Sequence, residues 1–183
     1  MASVNSVRLV PIHLSDESLL NTVSNAILIH TGLSTAVSRV AIDPVPAFDR
    51  GRGQYSSTLL LENLPVAENG TTLAVTDLDL YVPVLTFVFG EALLSGPKAI
   101  VSVHRLRPEY YGLPIDDSLL KSRLGKEAVH ELGHTFGLVH CPIPDCVMYS
   151  SSYVEEIDLK GAGYCPQCRR EIEDQRNRGA ACC

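Results

Sequence analysis

Apolar residues recur at two spacings along the chain, and the switches between them mark its elements. "VRLVPIHL" (7–14) is a short, mostly apolar run and predicts a strand. "SDESLLNTVSNAILIHTG" (15–32) opens on polar residues, spaces its apolar ones and closes on Gly32, which predicts a helix. "STAVSRVAI" (34–42) predicts the next strand, and the Pro/Gly-rich "DPVPAFDRGRGQ" (43–54) a loop. "YSSTLLLENLP" (55–65) reads as a short helix halted by Pro65, followed by a third strand in "TTLAVTDLDLYV" (71–82). "TFVFGEAL" (86–93) and "AIVSVHRL" (99–106) are two more strands, parted by a turn at "SGP"; "RPEYYGLPIDD" (107–117) returns to loop. Strands and helices in this order imply an α/β fold, one sheet with helices packed on it.

The next helix begins between Ser118 and Lys126. At about 100° per residue, Val129, Leu132 and Phe136 share one side of it. His130 and His134 lie on the opposite side, roughly 40° apart. Such a helix buries its apolar face and turns its histidines toward a cleft. From residue 138 the periodicity is lost. The remainder reads as short, loop-rich and cysteine-bearing, ending in the polar tail "EIEDQRNRGAACC". One domain over 1–183 is expected, with an N-terminal subdomain 1–137 and a C-terminal subdomain 138–183.

Composition narrows the function classes. Hydrophobic residues at 45% against 20% charged give a globular balance. A formal charge of −6 without a basic cluster argues against nucleic acid as a partner, because phosphate contact needs Lys and Arg in excess. The longest apolar run, "VPVLTFVF" (82–89), has strand length and cannot span a bilayer. The start of the chain lacks a basic segment followed by a long apolar one, so a cytoplasmic protein away from membranes is expected; a monomer is a separate expectation. All six cysteines follow residue 140. In a reducing compartment, cysteines clustered in this way are metal ligands more often than disulfides.

"HELGHTFGLVHC" (130–141) carries the chemistry. A helical step of four from His130 to His134 puts both imidazoles on one face, spaced to share one zinc. Glu131 projects about a quarter-turn away; it cannot ligate beside them but can reach a water on the same metal and take its proton. Gly137 permits a sharp turn that brings His140 back as a third ligand, leaving a position open for water or substrate. HExxH alone arises by chance in helices, whereas HExxHxxGxxH fixes five positions over eleven residues. Met148, eight residues after His140, is expected to pack beneath the site. Cys141-x4-Cys146 and Cys165-x2-Cys168 read as a closed four-thiolate site for a second, structural zinc. That zinc would fold a C-terminal segment too short and polar to form its own core. Adjacent residues, His140 and Cys141, would then face different zincs, two per chain.

Together these residues resemble the archaemetzincins, a cytosolic branch of the metzincin zinc peptidases. The likeness extends upstream through "FGEALLSGPKAIVSVHRLRPEYYG" and "RLGKEAVHELGH", and covers roughly residues 85–168. It implies a metzincin-like α/β (α+β) fold: a mixed, twisted five-stranded sheet, an active-site helix and a small zinc-stabilised C-terminal subdomain. It also implies that His130, His134 and His140 bind catalytic zinc, that Glu131 is the general base, and that Cys141, Cys146, Cys165 and Cys168 bind the structural zinc. By the same analogy "TFVFGEA" (86–92) would be an antiparallel edge lining the cleft, where a peptide substrate adds by main-chain hydrogen bonds. Some metzincins place a tyrosine ligand two residues past the methionine; Ser150 stands there, so no tyrosine ligand is assigned.

Other polar residues read as structural. His13, His30 and His104 are isolated, with His30 expected to cap helix carbonyls. Asp77 and Asp79 alternate on a strand and suggest a solvated face, and Tyr110 and Tyr111 are weaker candidates for a substrate wall. Cys182–Cys183 resembles a prenylation ending. The expected function is a zinc metallopeptidase acting on peptide or protein substrates; the alternative is a zinc-stabilised binding protein whose peptidase site is unused.

Overall fold

The structure is a computed structural model that describes residues 6–68 and 70–180, with side chains described up to residue 175. Five strands form the main sheet in the order β2-β1-β5-β8-β7. These are β1 (Ser6–Ile12), β2 (Ser34–Val37), β5 (Gly70–Thr76), β7 (Gly90–Ala92) and β8 (Lys98–Ser102). β1 runs parallel to β2 and β5, and β5 parallel to β8; β7 joins β8 antiparallel, pairing Gly90 with Val101 and Ala92 with Ala99. The sheet is therefore mixed, with its one antiparallel strand at an edge.

The inner strands are near-continuous apolar runs because both faces are covered. Their two-residue alternation sorts side chains into two cores. Val7, Leu9, Leu73, Val75, Ala99 and Val101 pack toward α1 (Leu19–Thr31) and α3 (Asp117–Thr135). Val10, Ile12, Ala74 and Ile100 pack toward Leu60 and Leu61 of α2 (Ser57–Asn63). Caps follow the local sequence. Gly32 closes α1 at φ 71°, its N–H donating to the Leu28 carbonyl, and Asp116 Oδ1 opens α3 by accepting from Leu119 N at 2.9 Å.

Several segments depart from their sequence expectation. The 43–54 loop holds a short strand, β3 (Phe48–Asp49), and with β4 (Gln54–Ser56) and β6 (Leu80–Tyr81) forms a second, three-stranded sheet. The strand expected over 71–82 breaks after Thr76. Asp77 turns to Ser15 and Arg107, and Asp79 takes Arg105 at 2.7 and 2.8 Å and Gln54 at 3.0 Å, so these carboxylates are ion-paired rather than solvated. Only residues 90–92 of the run 86–93 join the sheet; Val84 and Leu85 of the long apolar run stay 88% and 52% exposed. Tyr110 stacks over the Arg105 guanidinium and Tyr111 donates to the Arg105 carbonyl, so neither forms a cleft wall. His30 does not cap α1; it packs over Gly163.

The C-terminal part is more regular than its polarity suggests. α4 (Val154–Leu159) and α5 (Pro166–Ala180) follow α3. α5 is anchored by Cys165, just ahead of its first residue, and by Cys168 and Ile172 within it, all of which join the main core. Cys182 and Cys183 lie outside the described residues. No helix among the described residues is long and apolar enough to cross a membrane.

Candidate metal centres and cleft

α3 starts at Asp117, one residue ahead of the expected window, and is enclosed on nearly all sides: Arg123, Glu127, His130 and Glu131 are buried with its apolar residues. It ends in a Schellman turn. Gly137, at φ 92°, donates to His134 O at 2.9 Å and Leu138 donates to Gly133 O at 3.0 Å. The reversal returns His140 to the helix, and the three imidazole centroids lie 4.8, 5.3 and 5.1 Å apart.

The ring geometry tests whether a cation fits. His130 Nδ1 lies 2.8 Å from Val147 O, and His134 Nδ1 lies 2.8 Å from Leu138 O. Each carbonyl fixes the proton on Nδ1 and leaves the Nε2 lone pair free. Those two Nε2 atoms face each other at 3.1 Å, a separation that two lone pairs tolerate only around a shared proton or cation. Tetrahedral Zn–N bonds of about 2.0–2.1 Å place ligand nitrogens roughly 3.3 Å apart, so the donor set fits zinc. Burial, with the positive charge of Lys160 adding, holds His130 well below the usual imidazole range; burial also lowers His134 and His140. All three are thus kept in the neutral form that ligates.

The four cysteines make a second cluster. Cys141 Sγ and Cys165 Sγ are 3.9 Å apart, and Cys146 Sγ and Cys168 Sγ 3.8 Å. A disulfide needs about 2.0 Å, whereas four thiolates at about 2.3 Å from one zinc lie roughly 3.8 Å apart. All four are buried. The clusters share a short stretch of backbone: Cys141 N donates to Met148 O, Val147 N donates to Gly163 O, and the Val147 carbonyl between them orients His130. Met148 is fully buried and seats its sulfur against Gly133, beneath the histidines.

A cleft of about 730 Å³ opens over the histidines. Residues 85–92 form one wall, including the free edge of β7, and Ser150–Tyr153 form the other. Glu131 lines it with Oε2 buried and without a hydrogen-bond partner. Its carboxylate lies so near β7 that a Cβ on Gly90 would stand 2.6 Å from Oε1; glycine permits that approach. Burial holds the Glu131 carboxyl well above its usual range, with the nearby Glu127 charge adding and Lys160 opposing. The structure thus brings together all eight site residues expected from the sequence. It adds two that were missed, Glu127 and Lys160, whose Nζ reaches Glu127 Oε1 at 2.8 Å. Glu127 had one sequence signal, its position one turn before Glu131 on the same helical face; Lys160 had none.

A mixed α/β sheet with an antiparallel edge, a cluster of two helical histidines and a third returned by the turn after the helix, and a closed four-cysteine cluster beside it define a class of metal-dependent peptidase. Comparison places the chain within that class. A profile of peptidase family M54 matches residues 65–174, and the chain belongs to that family. It is 47% identical over 132 residues to the archaemetzincin of Methanocaldococcus jannaschii, covering 72% of this chain and 73% of that one. The Pyrococcus furiosus archaemetzincin is 44% identical over 137 residues, covering 73% and 71%. The crystal structure of archaemetzincin from Methanopyrus kandleri superposes with a TM-score of 0.84 at 35% identity, covering 96% of this chain and 97% of that one. The Archaeoglobus fulgidus archaemetzincin, complexed with malonate, gives 0.80 at 34% identity over 91% and 99%. Family membership supports a zinc metallopeptidase.

Proposed function

We propose that this chain hydrolyses peptide bonds with Glu131 as general base, His130, His134 and His140 as ligands of a catalytic zinc, and the four cysteines as ligands of a structural one. Zinc held by the histidines supplies Lewis-acid polarisation and eases deprotonation of water. The observation that carries the reading is the Glu131 carboxylate: buried, facing the cleft beside the three rings, and unpaired at Oε2. A buried acceptor without a donor is costly unless a ligand or water supplies one. Oε2 takes a proton from the attacking water and then passes it to the leaving amine. Burial raises the basicity of that carboxylate toward the working pH, which favours both transfers. The free edge of β7 supports binding of an extended peptide by main-chain pairing, with the Ser150–Tyr153 wall opposite. Three imidazoles leave a zinc position open, whereas four thiolates close theirs and serve folding.

The test is Glu131→Gln in zinc-loaded protein, assayed on a broad peptide library. Helical content and metal per chain stay as in the wild type, and hydrolysis falls by at least about 100-fold, the contribution of a positioned general base. Unchanged turnover would refute the role of Glu131.

A further inference from the structure

Beside the buried Val154 and Ile157 of α4, a set of charged side chains ties α3 to α4. Arg123 holds Asp158 through two nitrogens at 2.7 Å each, and Lys126 Nζ donates to the carbonyls of Ile157 and Asp158. The innermost pair is Lys160–Glu127, 2.8 Å apart, with side chains 1% and 5% exposed. Two features separate it from an ordinary structural pair. Glu127 itself lines the cleft, one helical turn before Glu131. Lys160 Nζ also donates to the Tyr149 carbonyl at 3.2 Å and lies 3.4 Å from His130 Nδ1. One buried ammonium therefore touches the helix that carries the base, a histidine of the cluster, and the backbone where the Ser150–Tyr153 wall begins.

The wall is fastened at its other end too. The Glu156 carboxylate accepts from the backbone N–H groups of Ser152 and Tyr153. Lys160 is itself held in place: its N–H donates to Glu156 O at 3.1 Å, and Gly161 runs so close to the Asp145 carbonyl that a Cβ there would stand 2.2 Å from it. Stability alone does not call for such a pair, since an apolar pair of similar volume often serves as well or better. Fixed geometry does, because an ammonium shared between a carboxylate and a carbonyl sets the distance between the elements that bear them.

We propose that Lys160, anchored by Glu127, is a positioning residue that locks the 149–153 wall against α3 and so sets the width of the substrate cleft. The inference rests on the peptidase reading for what the cleft holds, but the lock can be observed without turnover.

The experiment uses the full zinc-loaded chain as wild type, Lys160→Met, Glu127→Gln and the double variant. Amide hydrogen exchange, zinc content, affinity for a short peptide hydroxamate, and KM and kcat on a peptide are measured. Lys160→Met is expected to speed exchange over 149–153 about tenfold and to raise KM and the hydroxamate Kd about tenfold. Zinc content and α3 protection stay unchanged, and kcat falls less than KM rises. Glu127→Gln gives up the ion pair but leaves an oxygen beside Nζ and the bond to Tyr149, so the wall stays protected. The double variant removes the unpaired buried carboxylate and recovers stability but leaves Tyr149 O without its donor, so fast exchange and weak binding persist. If Lys160→Met does not fold, the double variant carries the same test. Wild-type exchange and affinity in the variants lacking Lys160, or full recovery of both in the double variant, overturns the proposal. If the wild type hydrolyses nothing while loss of Lys160 still loosens the wall, the peptidase reading fails and the lock stands.

Discussion

Gly133 sits within "HELGH", between the two helical histidines, and two physical effects pull in opposite directions there. Helix propensity favours alanine over glycine by about 1 kcal/mol, so Gly133→Ala on an exposed helix would stabilise. In this fold the added Cβ would stand 2.3 Å from Met148 Sδ and 3.1 Å from both Met148 Cε and Tyr164 Cε1. Ordinary contact lies at about 3.5–4.0 Å, so the sulfur would have to move by more than about 1 Å. It has little room: Met148 is fully buried, and Tyr164 is tethered by its hydroxyl to the Val129 carbonyl at 2.7 Å. Overpacking of this kind costs about 1–3 kcal/mol, and an overlap this deep belongs at the upper end. Taking about 3 and subtracting the propensity gain leaves a net loss near 2 kcal/mol. For a chain of this length that lowers Tm by about 4–8 °C. The assay is urea unfolding of the zinc-loaded protein, where the midpoint falls at unchanged m. In a Met148→Ala background the obstruction is gone, so the same glycine substitution costs at least about 1 kcal/mol less. A higher midpoint for Gly133→Ala in the wild-type background would refute the reasoning, because it would mean that the methionine is not seated against the glycine.

Metal analysis should find two zincs per chain, with one lost in His140→Ala and one lost in Cys165→Ser; a wild-type value of one would mean that a cluster is not a zinc site. Acid sensitivity is best read in Glu131→Gln that lacks the histidine-held metal but keeps the cysteine-held one, a variant that removes a carboxyl whose raised pKa acts with the opposite sign. Burial depresses His130 and His134, so below about pH 6.5 the unfolded chain takes up protons that the native rings resist. Stability from these rings is complete above that value and lost as pH falls through it, so Tm drops between about pH 7.5 and 5.5. A flat profile would show that the rings are solvated.

The histidine cluster was legible because its members are close in sequence. Helical periodicity alone places His130 beside His134, and Gly137 marks the turn that returns His140. The cysteine spacings work in the same way within each pair, while joining Cys141 to Cys165 requires a long closure that only the fold supplies. α5 was not legible, because its buried positions among the described side chains are one thiol and one isoleucine on a polar sequence, and the burial of the thiol depends on the cluster it helps to build. The apolar run 82–89 misled for the converse reason: part of it stays exposed along the cleft instead of filling the core.

The sequence by itself determined the main-sheet strands and the helices packed on them in outline, the members of the histidine and cysteine clusters and the candidate base, since each follows from local periodicity or fixed spacing. Only the tertiary structure decided which faces meet. It set the antiparallel edge of β7 against the cleft, seated Met148 on Gly133, and brought Lys160 across thirty residues to His130 and to Glu127. These are contacts between distant segments, and their geometry is settled by packing both cores at once rather than by any local preference.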